Sequence, residues 1–223
     1  PAGRLAASYL LSIFEGDRRR AARLILDSVN EGSDVRDLYL EVLLPAQREV
    51  GRMWMANEIN VAEEHFASAT SKMVMAQLLQ RASVAPSNGK TILAAAVAGD
   101  QHDIALQTLA DLFEMDGWRV IQLGANVPIA DLVEAVTFFK ADLVALSASQ
   151  SVQLETVRDS IRAIRNHERV ADCKILVGGP AFDATETLYR ELEADGYSDK
   201  LPEALTLGRR LVGLPDSHGG GSD

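Results

Sequence analysis

Cysteine is almost absent from this sequence of 223 residues, which contains only Cys173. This scarcity excludes an intrachain disulfide framework and any zinc or iron–sulfur site built from several cysteines. A chain with so little cysteine is typical of a reducing compartment, so we expect it in the cytoplasm. No apolar run reaches the roughly 18 residues that a membrane helix needs, and the first ten residues do not resemble a secretion signal. We therefore expect no membrane association.

Basic residues are also scarce. The sequence has 22 Lys and Arg but 32 Asp and Glu, which gives a formal net charge of −10. A chain of this charge repels the phosphate backbone of nucleic acid, so we expect no direct nucleic-acid binding. Apolar residues make up 47% of the sequence and charged residues 24%. This balance is close to the globular average and predicts a folded protein with a substantial core.

The first part of the chain has helical periodicity, with apolar residues three and four positions apart. Runs of Gly, Ser, Asp and Asn interrupt the pattern and supply the caps and turns that separate helices. Four helices are predicted, at residues 3–14, 17–30, 34–55 and 60–83. Short connections favour antiparallel neighbours, so residues 1–86 are predicted to form a four-helix bundle.

The periodicity changes after the turn-forming residues 86–89. Short apolar runs at 91–97, 119–123, 143–146 and 174–177 alternate with helical patterns at 103–116, 129–140, 151–167 and 182–194. This alternation is typical of a parallel sheet covered on both faces. We therefore predict an α/β, doubly wound parallel-sheet domain of the Rossmann or flavodoxin-like kind at residues 90–213. It includes a brief fifth strand at 195–197 and a last helix at 200–212, and residues 214–223 are predicted to be a flexible tail.

Ligands of doubly wound sheets bind beyond the carboxyl ends of the strands. The first predicted strand leads to Asp100 and His102, and an Asp two residues before a His can bind one ring nitrogen and direct the other toward a metal. Taken alone, a loop His beside an Asp is more often an ordinary surface ion pair than a metal ligand with its partner. The third predicted strand ends in Ser147-Ala148-Ser149 and the fourth in Gly178-Gly179, where hydroxyls and bare backbone can line a slot or simply form turns.

Taken together, these residues resemble the cobalamin-binding signature D-x-H-x-x-G, S-x-L, G-G of the methionine synthase and methylmalonyl-CoA mutase type. The match begins with Asp100, His102, Asp103 and Ile104, which the resemblance assigns to cofactor binding. It implies that His102 displaces the dimethylbenzimidazole base of cobalamin and binds the cobalt from below, with Asp100 as its partner.

The same resemblance implies a slot for the displaced base and its nucleotide tail, walled by Ser147, Ser149, Gly178 and Gly179. The sequence departs from the signature twice, because Ala105 replaces its last Gly and Ser149 replaces its Leu. We expect the methyl group of Ala105 to crowd the loop, and the hydroxyl of Ser149 to bond the buried base.

Trp54, followed after nine residues by Glu64 and His65, resembles the W-x9-E-H motif in the helical bundle of CarH-type light-sensing adenosylcobalamin proteins. The resemblance implies that the bundle caps the upper face of cobalamin. Trp54 would provide an apolar plate for the deoxyadenosyl group, while Glu64 and His65 would bind its ribose or base. The alternative is that Trp54 fills the bundle core and that Glu64 and His65 form a polar pair at a helix start.

These resemblances predict an adenosylcobalamin-binding photoreceptor module and not an enzyme. Light would cleave the cobalt–carbon bond and shift the bundle against the sheet, because a ligand biases a conformation by its differential affinity for it. The signal would pass to a partner protein or to a further output domain. We also expect self-association, most simply as a homodimer with two-fold symmetry.

Three other functions share some of these features. A corrinoid methyl carrier of a methyltransferase system has the same lower-face signature and bundle, but it has no use for Trp54 with Glu64 and His65. A dual-chromophore sensor of the photocobilin kind would bind a bilin as well as cobalamin and would share every residue quoted above. An adenosylcobalamin mutase is the least favoured, since it needs a large separate substrate barrel.

Overall fold

The computed structural model describes residues 2–182 and 187–216. The chain divides into two compact units, a helical unit that ends at Ser83 and a sheet unit that begins at Val84. Over the described ranges, no helix combines the length and the apolar character needed to cross a membrane.

Residues 2–83 form four helices, as predicted for a bundle. The first two are α1, Ala2–Phe14, and α2, Arg18–Asn30, and the last is α5, Val61–Leu79. The third runs without a break through α3, Val35–Asp37, a π-helical segment, Leu38–Leu43, and α4, Leu44–Met55. Helix α5 ends before the predicted residue 83, because Arg81 and Ala82 donate to carbonyls only three residues back and thereby tighten the chain into a turn.

The π-helical segment in the third helix ends two residues before Pro45. A proline inside a helix has no N–H to donate to the carbonyl four residues earlier. The wider turn is visible at Leu44, whose N–H donates to Tyr39 O, five residues back. The helix therefore continues past the proline with a local change of pitch instead of ending there.

Two buried tyrosines tie the helices of the bundle together. The Tyr9 hydroxyl lies 2.8 Å from Ser71 Oγ, and the Tyr39 hydroxyl donates to Met75 O over 2.9 Å. Burial raises the pKa of Tyr9 to about 12 despite the opposing effect of the Ser71 bond. The phenol therefore stays neutral at physiological pH, which suits an O–H group inside an apolar core.

The sheet unit contains a five-stranded parallel sheet in the order β2-β1-β3-β4-β5. The strands are β1, Thr91–Val97; β2, Arg119–Val127; β3, Leu143–Ser147; β4, Lys174–Gly178; and β5, Gly196–Tyr197. This is the flavodoxin-like doubly wound order, which confirms the predicted fold class. The strand order reverses between β1 and β3, so the carboxyl ends of these two strands define the switch point where ligands of such folds bind.

Helices cover both faces of this sheet. They are α6, Ile104–Met115; α7, Ile129–Phe139; α8, Leu154–Arg165; α9, Leu188–Glu191; and α10, Leu201–Leu211. All residues of β1 are buried, and successive side chains enter two different apolar clusters. Strand β1 is therefore a central strand, as its continuous apolar run predicts.

Two further predicted segments differ from the structure. Strand β2 continues to Val127, past the predicted end at residue 123. The single helix predicted over 182–194 is wrong, because a 3-10 turn covers Pro180–Phe182 and α9 ends at Glu191, two residues before the left-handed Glu193 with φ of 62°. Residues 183–186 of that prediction lie outside the described residues.

The predicted tail, residues 214–223, is described only as far as residue 216. Arg209 Nε donates to Pro215 O over 2.7 Å, and Arg210 forms an ion pair with Asp216 at 2.9 Å. These contacts attach the described part of the tail to α10. The rest of the predicted tail lies outside the described residues.

The segment that follows the bundle is attached to the sheet unit. Ala85 N–H donates to Met115 O over 2.9 Å, and Asn88 donates from its backbone to Gly117 O over 3.0 Å. The Asn88 side chain also donates to Asp116 O over 3.2 Å. These bonds explain why the units separate at Ser83 and Val84, a few residues before the turn-forming run at 86–89.

We expect Gly117→Ala to destabilise the sheet unit more than Gly89→Ala. Both glycines have positive φ, 84° and 76°, but a Cβ at Gly117 would overlap the Pro86 carbonyl oxygen, whereas Gly89 has no atom within 4 Å of that position. Overpacking of this kind costs about 1–3 kcal/mol of unfolding free energy beyond the backbone strain that both variants share. Urea unfolding followed by circular dichroism measures the difference, and equal losses in the two variants would contradict the close approach.

Candidate functional site

A buried carboxylate organises the loop after β1. Asp100 is fully buried, and its Oδ1 accepts a hydrogen bond from His102 N over 3.0 Å and lies 2.9 Å from His102 Nδ1. With the proton on Nδ1 facing the carboxylate, Nε2 is the ring nitrogen that can bind a metal. The His102 side chain is 67% exposed, so this nitrogen is accessible.

The chain directly after β3 supplies further donors to the same carboxylate. Ser149 N donates to Asp100 Oδ2 over 2.8 Å, and the Ser149 hydroxyl lies 2.8 Å from Oδ2 and 3.0 Å from Oδ1. The serine that replaces the leucine of the signature therefore adds a hydroxyl to the hydrogen-bond donors around Asp100. We expected this hydroxyl to bond the buried base, and in the structure it is directed to Asp100 instead.

Two side chains that sequence reasoning missed hold the loop from either side. Asn126 Oδ1 accepts from Gly99 N over 2.7 Å, and Asn126 N donates to Asp100 O over 2.8 Å. On the other side, Gln153 Nε2 donates to Gly99 O over 3.1 Å. Asn126 follows the predicted strand 119–123, whereas Gln153 lies near the start of the predicted helix 151–167. Neither belongs to a motif, so the sequence offers no signal for them beyond their position shortly after a strand.

Ser147 and the two glycines lie side by side at the carboxyl ends of β3 and β4, where Ser147 pairs with Gly178 in parallel register. A Cβ on Gly178 would lie 2.9 Å from Ser198 O, and one on Gly179, at φ of 102°, would overlap Ala148 O. The glycines therefore allow the backbones of neighbouring strand ends to approach closely. Their assignment to a slot for the nucleotide tail stays a prediction.

The remaining residues of the signature lie at the start of α6. Asp103 precedes the helix and Ile104 begins it. The carboxylate of Asp103 lies near β2, since a Cβ on Gly124 would be 3.7 Å from its Oδ2. Ala105 is exposed in the first helical turn, so its methyl group is not packed against the rest of the protein.

The predicted upper-face residues lie at one turn of the helical unit. Trp54 is in the last turn of α4, and Glu64 and His65 are in the first turn of α5. Trp54 is 47% exposed, so it does not fill the bundle core and that part of the alternative is wrong. A half-exposed indole at a helix end is an apolar surface available for a ligand.

Glu64 and His65 form a connected polar pair beside this turn. Glu64 Oε2 lies 2.6 Å from His65 Nδ1, and Glu64 Oε1 accepts from Ser68 Oγ over 2.5 Å. The Ser68 bond restrains the carboxylate, which is 27% exposed, while the imidazole is 74% exposed. His65 therefore presents an exposed polar ring that is restrained through its contact with Glu64.

Across residues 2–182 and 187–216, no three His, Cys, Asp or Glu side chains are grouped as a site for a metal ion. A corrin ring carries four nitrogen ligands of its own, so a cobalt held in it needs only one imidazole from the protein. His102, with Nδ1 bound and its ring exposed, fits this requirement. The arrangement suits a metal that arrives inside a macrocycle better than a bare ion.

Comparison with known families defines the class of this protein. Residues 90–206 match a family model described as B12 binding domain, and residues 5–79 match a second family model with the same description. Because the first match covers more than half of the chain, the chain belongs to the B12 binding domain family. Cobalamin binding is the role that this membership supports.

Individual relatives fall into two groups. A corrinoid protein of Desulfitobacterium hafniense is 25% identical over 207 residues, which cover 91% of this chain and 94% of that protein. The HTH-type transcriptional repressor CarA of Myxococcus xanthus is 33% identical over 159 residues, which cover 70% of this chain and only 51% of the repressor.

The solved structures show the same fold. The monomethylamine corrinoid protein of Methanosarcina barkeri superposes with a TM-score of 0.77 at 18% identity, and the match covers 95% of this chain and 100% of that one. At this level of identity the similarity establishes the architecture alone, and the function has to be argued from the residues of the site.

We expect His102→Ala to abolish or greatly weaken cobalamin binding, and Asp100→Ala to weaken it by about 10- to 100-fold, the usual loss for a partner of a metal ligand. Asp159→Ala, which changes an exposed carboxylate on α8, serves as the control. Titration of the cofactor-free protein followed by absorption measures all three affinities. An unchanged spectrum and affinity in His102→Ala would contradict the assignment of the lower ligand.

Proposed function

We propose that this chain is a light-sensing module that uses adenosylcobalamin as its chromophore. The observation that carries the proposal is the half-exposed Trp54 beside the Glu64–His65 pair at the turn from α4 to α5. This arrangement carries the W-x9-E-H spacing of the CarH-type proteins. A protein that only shuttled a methyl group would have no use for an aromatic plate and two polar groups of this size.

The sheet unit holds the cofactor in this proposal. His102 Nε2 binds the cobalt from below, and the buried Asp100 fixes the ring orientation through Nδ1. Ser149, two residues after the end of β3, in turn holds the Asp100 carboxylate. The loop residues Asp103 and Ile104 line the approach to the ring, and Ser147, Gly178 and Gly179 accommodate the nucleotide tail.

The helical unit senses the upper ligand. Bound adenosylcobalamin supplies a cobalt–carbon bond that visible light breaks. Before illumination, Trp54 packs against the adenosyl group while Glu64 and His65 bind its polar edge. Loss of that group removes the free energy of these contacts, so the conformation that they favour becomes less populated. A partner protein or a further domain reads this change, and the chain itself performs no catalytic turnover.

We place a homodimer in the same proposal. The helical unit exposes the large apolar side chains Leu11, Phe14 and Val61, which are available for association with a second copy. Two-fold dimers are the commonest closed assembly of soluble chains. A light-dependent change in this association would carry the signal.

A corrinoid methyl carrier is the second candidate. The match extends over nearly the whole length of some curated corrinoid proteins, including 95% of a dimethylamine corrinoid protein of Methanosarcina mazei at 26% identity, and over about half the length of others. In this function a partner methyltransferase would add and remove a methyl group at the cobalt. His102 and Asp100 would keep the same roles, while Trp54, Glu64 and His65 would have none.

Illumination separates the two candidates. Because adenosylcobalamin also bleaches when free in solution, the protein itself must be measured. We expect green light to change the light-scattering mass and the protease sensitivity of the adenosylcobalamin-loaded protein, and to change neither in protein loaded with methylcobalamin.

An unchanged mass and protease pattern, together with methyl transfer to or from a corrinoid methyltransferase, would favour the carrier function. A single monomeric mass before and after illumination would contradict the role of assembly in signalling. A far-red absorption band in the purified protein would indicate that a bilin is bound as well.

We expect Trp54→Ala to bind cobalamin still, but to lose about tenfold of its preference for the adenosyl over the methyl form, which corresponds to about 1.4 kcal/mol. Phe138→Ala, which removes an exposed aromatic of α7, should keep the full preference. Titration of both variants with the two cofactor forms measures the ratio. Equal affinity of the unmutated protein for both forms would count against the light-sensing function.

A further inference from the structure

Gln153 is a buried polar side chain whose hydrogen bonds all lie at the carboxyl ends of the strands. It is 7% exposed and ends the short 3-10 turn Ser151–Gln153 after β3. Its Oε1 accepts from Ser149 N over 2.9 Å and from Gln150 N over 3.0 Å, while Nε2 donates to Gly99 O over 3.1 Å. The amide therefore joins the chain after β3 to the loop after β1.

Gly99 is bound by side chains on both of its backbone groups. Its N–H donates to Asn126 Oδ1 over 2.7 Å, and its carbonyl accepts from Gln153 Nε2. Gly99 has a φ of 86° and directly precedes the buried Asp100. The conformation that carries Asp100 and then His102 is thus fixed from both neighbouring strands.

The chemistry of this position requires a neutral amide. The single N–H of Ser149 is shared between Asp100 Oδ2, at 2.8 Å, and Gln153 Oε1, at 2.9 Å. A second carboxylate here would place two negative charges around one donor in a buried region, which is unfavourable. It would also lose the donor that binds Gly99 O. A glutamine can accept at one end and donate at the other without adding charge.

We propose that Gln153 is a positioning residue for the cobalt ligand, which holds the Gly99–His102 loop in its binding shape before cobalamin arrives. This inference rests on the proposed binding of cobalt by His102. A loop that is already ordered loses less conformational entropy when the cofactor binds, so its affinity is higher. Gln153 acts through Gly99, Ser149 and Asp100 and does not itself touch the metal.

Two variants distinguish the loss of the Gln153 hydrogen bonds from the addition of a negative charge. Gln153→Met keeps a similar volume but removes every hydrogen bond of the amide, and Gln153→Glu keeps the acceptor while adding a negative charge and losing the donor. Gln122→Glu is the matched control, since it makes the same chemical change at an exposed position of β2. Thermal unfolding followed by circular dichroism establishes that each variant is folded.

The first measurement needs no cofactor. Amide hydrogen exchange of the cofactor-free protein reports on the loop through the His102 and Ser149 N–H groups, with the Val144 amide of β3 as an internal reference. We expect both Gln153 variants to exchange about 5- to 10-fold faster at His102, the effect of losing about one net hydrogen bond, and to leave Val144 unchanged. The Gln122 control should match the unmutated protein.

The second measurement is cobalamin affinity, together with the absorption signature of a protein imidazole on cobalt. We expect about a tenfold loss in Gln153→Met and a larger loss in Gln153→Glu. Exchange and affinity equal to those of the unmutated protein in both variants would overturn the role of Gln153. If His102→Ala also bound normally, the lower-ligand assignment itself would fail, so the two failures are distinguishable.

Discussion

The buried carboxylate of Asp100 is the group on which the candidate site depends. A charge this deep in a protein is tolerated only when donors surround it, and here the backbone and side chains of His102 and Ser149 supply them. These donors come from the ends of β1 and β3, the two strands between which the strand order reverses. The switch point therefore provides the donors that the carboxylate needs, and the carboxylate orients the imidazole at that point.

The two units contribute separate parts of the proposed function. A loop that directs one imidazole outward suits a cobalt that arrives in a corrin, whether the protein senses light or carries a methyl group. The proposal places the difference between these functions in the helical unit, where Trp54 stays half exposed at a helix end instead of entering the core. An upper face that accommodates a nucleoside requires such an apolar surface, whereas a methyl group does not.

Much of the architecture could be predicted because it follows from local patterns. The continuous apolar run at β1 implies a strand buried on both faces, and the run matches the observed Thr91–Val97. The helix predicted over 182–194 was wrong, because helical spacing does not reveal a residue such as Glu193 that adopts a left-handed conformation. The π-helical turn before Pro45 was also missed, since a proline in sequence indicates a break more often than a change of pitch.

The sequence by itself determined the fold class, the helical and sheet units, and the Asp100–His102 pair, because helix and strand periodicity and a two-residue spacing are local properties of the chain. Only the tertiary structure decided that Ser149 donates to Asp100 and that Asn126 and Gln153 hold Gly99 from both sides. These contacts join residues about 25 to 55 positions apart in the sequence. They exist because parallel strands place their carboxyl ends together, and a side chain beyond such an end acquires its partners from the strand order.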